Sequence, residues 1–511
     1  MNASLVEVSE QMRVRPATPP RWPLERVAAE LGTTATESVD VTGIALNTAA
    51  VVPGDLYAAL PGSTTHGAHF VDQALAAGAV AVLTDPTGRD LVLADRPDVP
   101  LVVVPDPRDR LADLSAAFYD HPASAFTTVG VTGTQGKTTT TYLAEAALGT
   151  RRSAVVGTIG TRIARVQAAS ALTTPEAPAL QALFAVMREE SVETLAMEVS
   201  SHALVQGRVD GFAFDVAVFL NLGRDHLDFH HTLEEYFLAK ASLFTAEHAR
   251  HAVLNADDPY AMRIRDLTSL PVTTFSSLGT AADWRAANVR PHRLGTDLEV
   301  LGPDGSVTEL HVPLAGVFNV SNAMAALAGL ATAGYAPAEL AAGIAASTGV
   351  PGRMERVDAG QEFTAVVDYA HKPEAVTAVL QALRPVTAGR LIVVLGAGGD
   401  RDQGKRPLMG RAAAETADVV IVTDDNPRTE PPAAIRAEVL AGAEGAPAVV
   451  YEVGDRRDAI AHAVAMAHRG DTVVVAGKGH ERGQEIDGVL HPFDDRETLL
   501  ELIGQADGAD A

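Results

Sequence analysis

Short runs of β-branched and apolar residues recur along this chain, and each ends in a polar motif. They include AVAVLTD (79–85), PLVVVPD (100–106), ETLAMEVS (193–200), DVAVFLNL (215–222) and HAVLNADD (251–258). Four more follow between 362 and 481: EFTAVVDYAH, GRLIVVLGAGGDRD, DVVIVTDDNPR and DTVVVAGKGHE. Runs so short and so uniformly apolar suit strands covered on both faces, with helical segments between them. A parallel sheet buries such strands and gathers their polar carboxyl ends along one rim, where α/β proteins bind ligands. The expected fold class is α/β.

A chain of 511 residues exceeds what one hydrophobic core sustains, so about three domains are expected. The prolines and charges of residues 1–23 predict a disordered N-terminus. An α/β domain over 24–122 ends at the turn-forming HPAS (121–124), a second covers 123–348, and a third covers 349–511 from GVPGR onward. The third has the strand pattern of a dinucleotide-binding, Rossmann-like sheet without its glycine-rich phosphate turn. A net charge of −25 disfavours nucleic acid, and anionic ligands must be met by local cationic pockets. With no cysteine, disulfides, thiolate catalysis and a Cys-ligated zinc are excluded. No apolar signal region and no eighteen-residue apolar span are present, so a cytoplasmic protein with no membrane partner is expected.

Phosphate chemistry is expected at GTQGKTTT (133–140). The strand-like Phe126 to Val131 precedes it and a helix can continue from Thr139 to Leu148, so backbone N–H groups and a helix dipole converge where an anion is stabilised. Lys137 adds a full charge for the β- and γ-phosphates, and Thr138 is placed like a Mg²⁺-binding hydroxyl. The glycine that the common P-loop pattern requires five residues before Gly136 is replaced by Val131. Glu198 and His226 follow other strands on the same rim and could complete Mg²⁺ coordination, or could cap helices and satisfy the core. Lys240, on a probable helix, has nothing local to distinguish it from a solvated lysine. Asn255 and Asp258 in NADD could read a base or ribose edge, or serve as turn residues.

Taken in order, GTQGKTTT, LTTPEAP, MEVSSHALVQGRV, NLGRDHLDFH, AKASLF, NADD, GVFNVSN, GVPGRME, VDYAHKPEA, GAGGDRDQGKRPLMG, TDDNPRTE and AGKGHE resemble the Mur ligases over nearly the whole chain. The resemblance implies a three-domain α/β architecture with a central P-loop ATPase domain and a Rossmann-like C-terminal domain. It implies an ATP- and Mg²⁺-dependent ligase that adds an amino acid to UDP-N-acetylmuramoyl-L-alanyl-D-glutamate through an acyl phosphate, in peptidoglycan synthesis. Its partners would be small-molecule substrates and its state a monomer.

By resemblance, ATP phosphates lie on Gly133, Thr134, Gln135, Gly136, Lys137, Thr138 and Thr139. Asn255 faces adenine, and Arg353 and Asp368 approach ATP. Thr138, Glu198 and His226 hold metal, with Lys240 as a carbamylated lysine, its N-carboxylate organising a second Mg²⁺. Lys137, Lys240, His226 and Glu198 form the catalytic set. The muramoyl dipeptide lies on Thr173, Thr174, Ser200, Gln206 and Arg208, and its UDP end near Leu46, Thr48, Ser63, Thr64 and Thr65. Asp425, Asn426, Pro427 and Arg428, with Arg401, Gly477 and Glu481, match members that take meso-diaminopimelate. A guanidinium there offers a bidentate fork to the distal carboxylate that L-lysine lacks. Two positions depart from the family pattern: Gln135 stands for the usual asparagine, and Asn47–Thr48–Ala49 for the D-S-R of the uridine site. L-lysine as the added amino acid, a folylpolyglutamate synthase, a generic P-loop ATPase and a catalytically idle Mur-like regulator are the competing readings.

Overall fold

The computed structural model describes residues 13–62, 64–164 and 166–509. The chain divides into two compact units, one running to Ser276 with Thr280–Trp284 and Ala325–Leu340, the other holding Arg285–Met324 and everything from Ala341.

The first unit carries two larger parallel arrays of strands and a short antiparallel pair. Strands β1 (Gly43–Ala45), β2 (Asp55–Ala59), β3 (Ala81–Thr84) and β4 (Leu101–Val103) pair in parallel in chain order. Residues 13–23, expected to be loose, are tied down, whereas residues 1–12 of that expectation lie outside the described residues. Arg15 grips the buried Asp55 through both carboxylate oxygens at 2.7 and 2.8 Å. Trp22 is buried against Phe118, and Trp22–Pro23 pairs with Asp40–Val41. A buried carboxylate without a counter-charge is costly, and its partner here lies forty residues upstream in sequence. Composition therefore misjudged this segment. HPAS forms a short 3₁₀ turn, Pro122–Ala125, entered through Asp120 and His121 at positive φ.

The second sheet of this unit is built on β5 (Thr127–Thr132), β6 (Ser153–Gly157), β7 (Thr194–Glu198), β8 (Val216–Phe219), β9 (Ala252–Asn255) and β10 (Val272–Ser276). They run in parallel in the order β6-β7-β5-β8-β9-β10, with β5 central. Helix α1 (Lys137–Leu148) follows β5, and α2 (Leu233–Ala241) follows β8. Because β7, β5 and β8 are neighbours, their carboxyl ends share one rim.

From Arg285 on, the second unit holds an antiparallel meander of the strands Trp284–His292, Gly295–Leu301 and Val307–Val312, the first residue of which belongs to the first unit. Its other sheet contains β11 (Thr364–Asp368), β12 (Leu391–Leu395), β13 (Val419–Val422), β14 (Val449–Glu452) and β15 (Thr472–Ala476). The parallel order is β11-β15-β12-β13-β14. Every residue of β12 is buried, each apolar side chain contributing roughly 1.5–3 kcal/mol relative to exposure. As in the first unit, polar motifs leave carboxyl ends on one rim, here on either side of β12: Asp425–Arg428 after β13 and Gly477–Glu481 after β15.

Candidate active site

Gly133 carries the chain from β5 into the phosphate loop, and Gly136, at φ 90°, caps α1 in a conformation that favours glycine. The first-turn amides of α1 have no acceptor within the helix, so the N–H groups there and the helix dipole form an anion-binding end. Lys137 Nζ curls back to Gly133 O at 2.8 Å and Thr134 O at 3.3 Å. Lys240, from α2, donates to the same Gly133 carbonyl at 3.0 Å. It is fully buried, with Nζ 4.5 Å from the centre of the Tyr236 ring. Burial first, and then the charge of Lys137, hold its ammonium well below the usual lysine range, while Asp225 opposes them. Two amines crowd one carbonyl, and burial pushes the desolvated one toward its neutral form.

Asn221, at the end of β8, was not among the expected site residues. Its Oδ1 accepts the amides of Thr134 (3.1 Å) and Gln135 (2.9 Å), and its Nδ2 donates to Gln135 O (3.1 Å). The Thr134 and Gln135 amides, expected on phosphate, are thus turned to Asn221. Only the NLG motif after DVAVF signalled Asn221.

Glu198 ends β7 buried, its carboxylate accepting Thr158 N at 2.8 Å and Thr158 Oγ1 at 3.0 Å. Gly157 permits this approach, since a Cβ there would lie 2.1 Å from Glu198 Oε1. His226 sits at φ 51° before the short helix Leu227–His230, half-exposed, edge-on to His202 at 4.8 Å. Thr138 is buried in the first turn of α1. Asn255 Nδ2 donates to Leu220 O at 2.7 Å and Oδ1 accepts Asp257 N, so the side chain ties β9 to the residue after β8.

Beside Glu198, Thr173 Oγ1 meets Thr158 Oγ1 at 3.0 Å. Arg208 donates to Thr174 O (2.9 Å) and Gln206 Oε1 (2.5 Å) and pairs with Glu176 (2.9 Å). Ser200 caps the helix Ser201–Val205. Thr174, expected on substrate, is fully buried, its hydroxyl joining Glu198 O to the Ser200 amide. It holds this wall from behind. Leu46 and Thr48 stand at the end of β1, Thr48 opening a 3₁₀ turn capped by Asn47. Thr64 and Thr65 are exposed in the loop between Pro61 and His66, and Ser63 lies outside the described residues.

In the second unit, Asp368 Oδ2 accepts Met354 N (2.7 Å) and Oδ1 accepts Ala370 N (2.8 Å). Burial pushes its carboxyl up, opposed by the nearby Arg353 guanidinium, which lies 4.2 Å from the Tyr369 ring centre. Expected on ATP, Asp368 instead has its carboxylate committed to holding GVPGRM against β11. Arg428, at φ 53°, donates from Nη1 to Gly399 O at 2.7 Å and from Nε to Glu485 at 3.1 Å. A Cβ on Gly398 would lie 3.1 Å from Arg428 Nη1 and 4.0 Å from Arg401 Cγ, so both arginines flank one glycine turn. Pro427 is buried, with its carbonyl against Gly399. Asn426 Nδ2 donates to Glu481 at 2.9 Å, and Gly477, at φ 119°, lies against Asp425. Lys478, fully buried among these groups, was not expected there.

Residues 40–119 match the "Mur ligase family, catalytic domain", 131–330 the "Mur ligase middle domain" and 352–479 the "Mur ligase, glutamate ligase domain". The chain is 52% identical over 503 residues to a UDP-N-acetylmuramoyl-L-alanyl-D-glutamate--2,6-diaminopimelate ligase of Streptomyces avermitilis, covering 97% of this chain and 99% of that one. A solved structure of a ligase with the same description aligns with TM-score 0.65 at 35% identity, over 91% of this chain and 95% of the other. The fold is shared with MurF of Thermotoga maritima solved in complex with ADP, at TM-score 0.61, 21% identity and coverage of 92% and 98%.

Proposed function

This chain belongs to the Mur ligases, and from that premise we propose that it joins meso-diaminopimelate to UDP-N-acetylmuramoyl-L-alanyl-D-glutamate at the expense of ATP, in peptidoglycan precursor synthesis. A carboxylate is a poor electrophile. An oxygen of the D-glutamate γ-carboxylate attacks the γ-phosphorus of ATP and ADP leaves, giving an acyl phosphate. The amine of diaminopimelate then attacks the acyl carbon, phosphate leaves with the C–O bond pair, and the nitrogen gives its proton to solvent. Each step is favoured by neutralised charge and by positioning.

Lys137 and the amides opening α1 meet the transferring phosphoryl group. The fully buried Lys240, sharing the Gly133 carbonyl with Lys137, is the observation that carries this reading. Burial favours loss of the ammonium proton, and the resulting amine adds to carbon dioxide and loses a second proton, placing an N-carboxylate beside Lys137. Thr138, Glu198, His226 and the Lys240 carbamate supply mainly oxygen donors suited to a hard cation, and Glu198 keeps lone pairs beyond those used by Thr158. Magnesium, when bound there, would neutralise charge on the phosphates. Thr173, Ser200, Gln206 and Arg208 form the wall assigned to the muramoyl dipeptide. Arg401, Asp425, Asn426, Arg428 and Glu481 form that assigned to diaminopimelate.

We assign 24–122 to the UDP end, 123–348 to ATP and 349–511 to the incoming amino acid, in a cytoplasmic monomer acting on small molecules. The absence, among the described residues, of any helix long and apolar enough to cross a membrane is compatible with this. Lys240→Ala tests the reading. Turnover followed by phosphate release should fall to a small fraction, with partial recovery when short carboxylates such as acetate fill the vacated space. A fully active Lys240→Ala enzyme would remove the carbamate from the mechanism.

A further inference from the structure

Lys478 lies two residues beyond β15 in the motif AGKGHE, and no part of its side chain reaches solvent. A buried ammonium is stable only when acceptors surround it. Here Nζ donates to Asn426 Oδ1 at 2.8 Å and stands 3.4 Å from Glu481 Oε2 and 3.5 Å from Asp425 Oδ1. All three partners belong to the wall assigned above to the incoming amino acid. Behind them Arg456 and Asp495, both fully buried, close a separate ion pair at 2.7 Å, so Asp495 is already matched.

The lysine determines which way Asn426 points. Asn426 Oδ1 takes two donors, Lys478 Nζ and the Glu485 amide at 3.0 Å. The carboxamide nitrogen is thereby forced to the other side, where it donates to Glu481 Oε2 at 2.9 Å. Glu481 Oε2 thus faces both a lysine and an amide donor, and the Tyr369 hydroxyl bonds the same carboxylate, so its orientation is fixed. Counting the three charged groups in contact, two carboxylates and one ammonium leave a single negative charge.

We propose that Lys478 is a positioning residue for the amino-acid substrate: through Asn426 and Glu481 it fixes one carboxylate, and one net negative charge, for the substrate ammonium group. Lys478 does not touch the substrate. This inference rests on the proposed function, because it takes Glu481 as the ammonium acceptor.

The test is steady-state kinetics with each of the three substrates varied in turn, for wild type, Lys478→Arg, Lys478→Met and Asn426→Asp, each checked by thermal unfolding. Wild-type turnover with diaminopimelate establishes the underlying reading, and its absence overturns that reading instead of this one. Lys478→Met should raise KM for diaminopimelate at least tenfold, leaving KM for ATP and for the muramoyl dipeptide within about twofold. Lys478→Arg should recover part of the loss. Asn426→Asp is nearly isosteric and keeps an acceptor for the lysine, but turns a carboxylate oxygen toward Glu481. It should reproduce the selective rise and serves as the decisive variant should Lys478→Met fail to fold. Unchanged KM for diaminopimelate in Asn426→Asp, or equal losses for all three substrates in folded Lys478→Met, would overturn the proposal.

Discussion

Arg428, which we assign to the distal carboxylate of the incoming amino acid, has its backbone held in an uncommon conformation. Its left-handed φ of 53° is stabilised on both sides, the amide donating to Glu485 O at 3.0 Å and the carbonyl accepting Asp487 N at 2.8 Å. The guanidinium is aimed by Gly399 O and Glu485, beside Arg401. Removing one member of a desolvated, hydrogen-bonded charge pair costs about 2 to 5 kcal/mol, so Arg428→Ala should lose about thirtyfold or more in kcat/KM for diaminopimelate. L-lysine has no distal carboxylate to lose, and its poor use should stay poor or improve slightly. Equal losses for the two amino acids would assign Arg428 to the fold instead of to recognition. At this scale the sequence was uneven. Arg428 was legible because D-N-P-R is a compact motif. Lys240 was not distinguishable on local grounds, because its burial and its neighbour Lys137 come from α2 meeting the β5–α1 loop.

The loop between β5 and α1 is an element whose shape depends on a neighbouring strand. Asn221 holds it through three hydrogen bonds, two of them taken by backbone amides. Asn221→Ala leaves the Gln135 amide to water and the Thr134 amide with only the backbone carbonyl at position 221, and at about 0.5–1.5 kcal/mol per bond the loop loses its preset form. KM for ATP should rise about tenfold, with KM for diaminopimelate little changed. An ATP KM unaffected by the substitution would mean that the loop keeps its shape without the clamp. Elements of this kind were legible wherever an apolar run was uniform, as in β12 or β15. The meander from Trp284 to Val312 gave no such signal, since its strands alternate buried and exposed positions and carry no long apolar run. Contacts between elements, such as Asn221 on the loop or Asp368 on Met354, depend on sheet order, which the sequence does not spell out.

For the whole molecule, three histidines are kept neutral by their surroundings. Burial takes His230 to about 4, helped by His202 and Lys240; it takes His371 to about 4, helped by Lys405 and Lys372; and it takes His480 to about 4, helped by Arg353. An unfolded histidine binds its proton near pH 6.5, so between that value and about 4 the unfolded chain holds more protons than the folded one. Stability should therefore fall as pH drops through this window, starting above the range where carboxylates titrate. Thermal unfolding should show Tm already declining from pH 6.5 to 5, and a flat Tm over that interval would contradict the assignment. The acidic surface, the phosphate loop on one unit and the amino-acid wall on the other together describe a ligase that uses ATP to activate a carboxylate for one particular amine. The most direct measurement of that claim incubates the protein with ATP, Mg²⁺, UDP-N-acetylmuramoyl-L-alanyl-D-glutamate and either meso-diaminopimelate or L-lysine, following phosphate release and product mass. Phosphate release matched by a tripeptide product with diaminopimelate, and little of either with lysine, is the predicted result; preference for lysine, or phosphate release that ignores the amino acid, would contradict it.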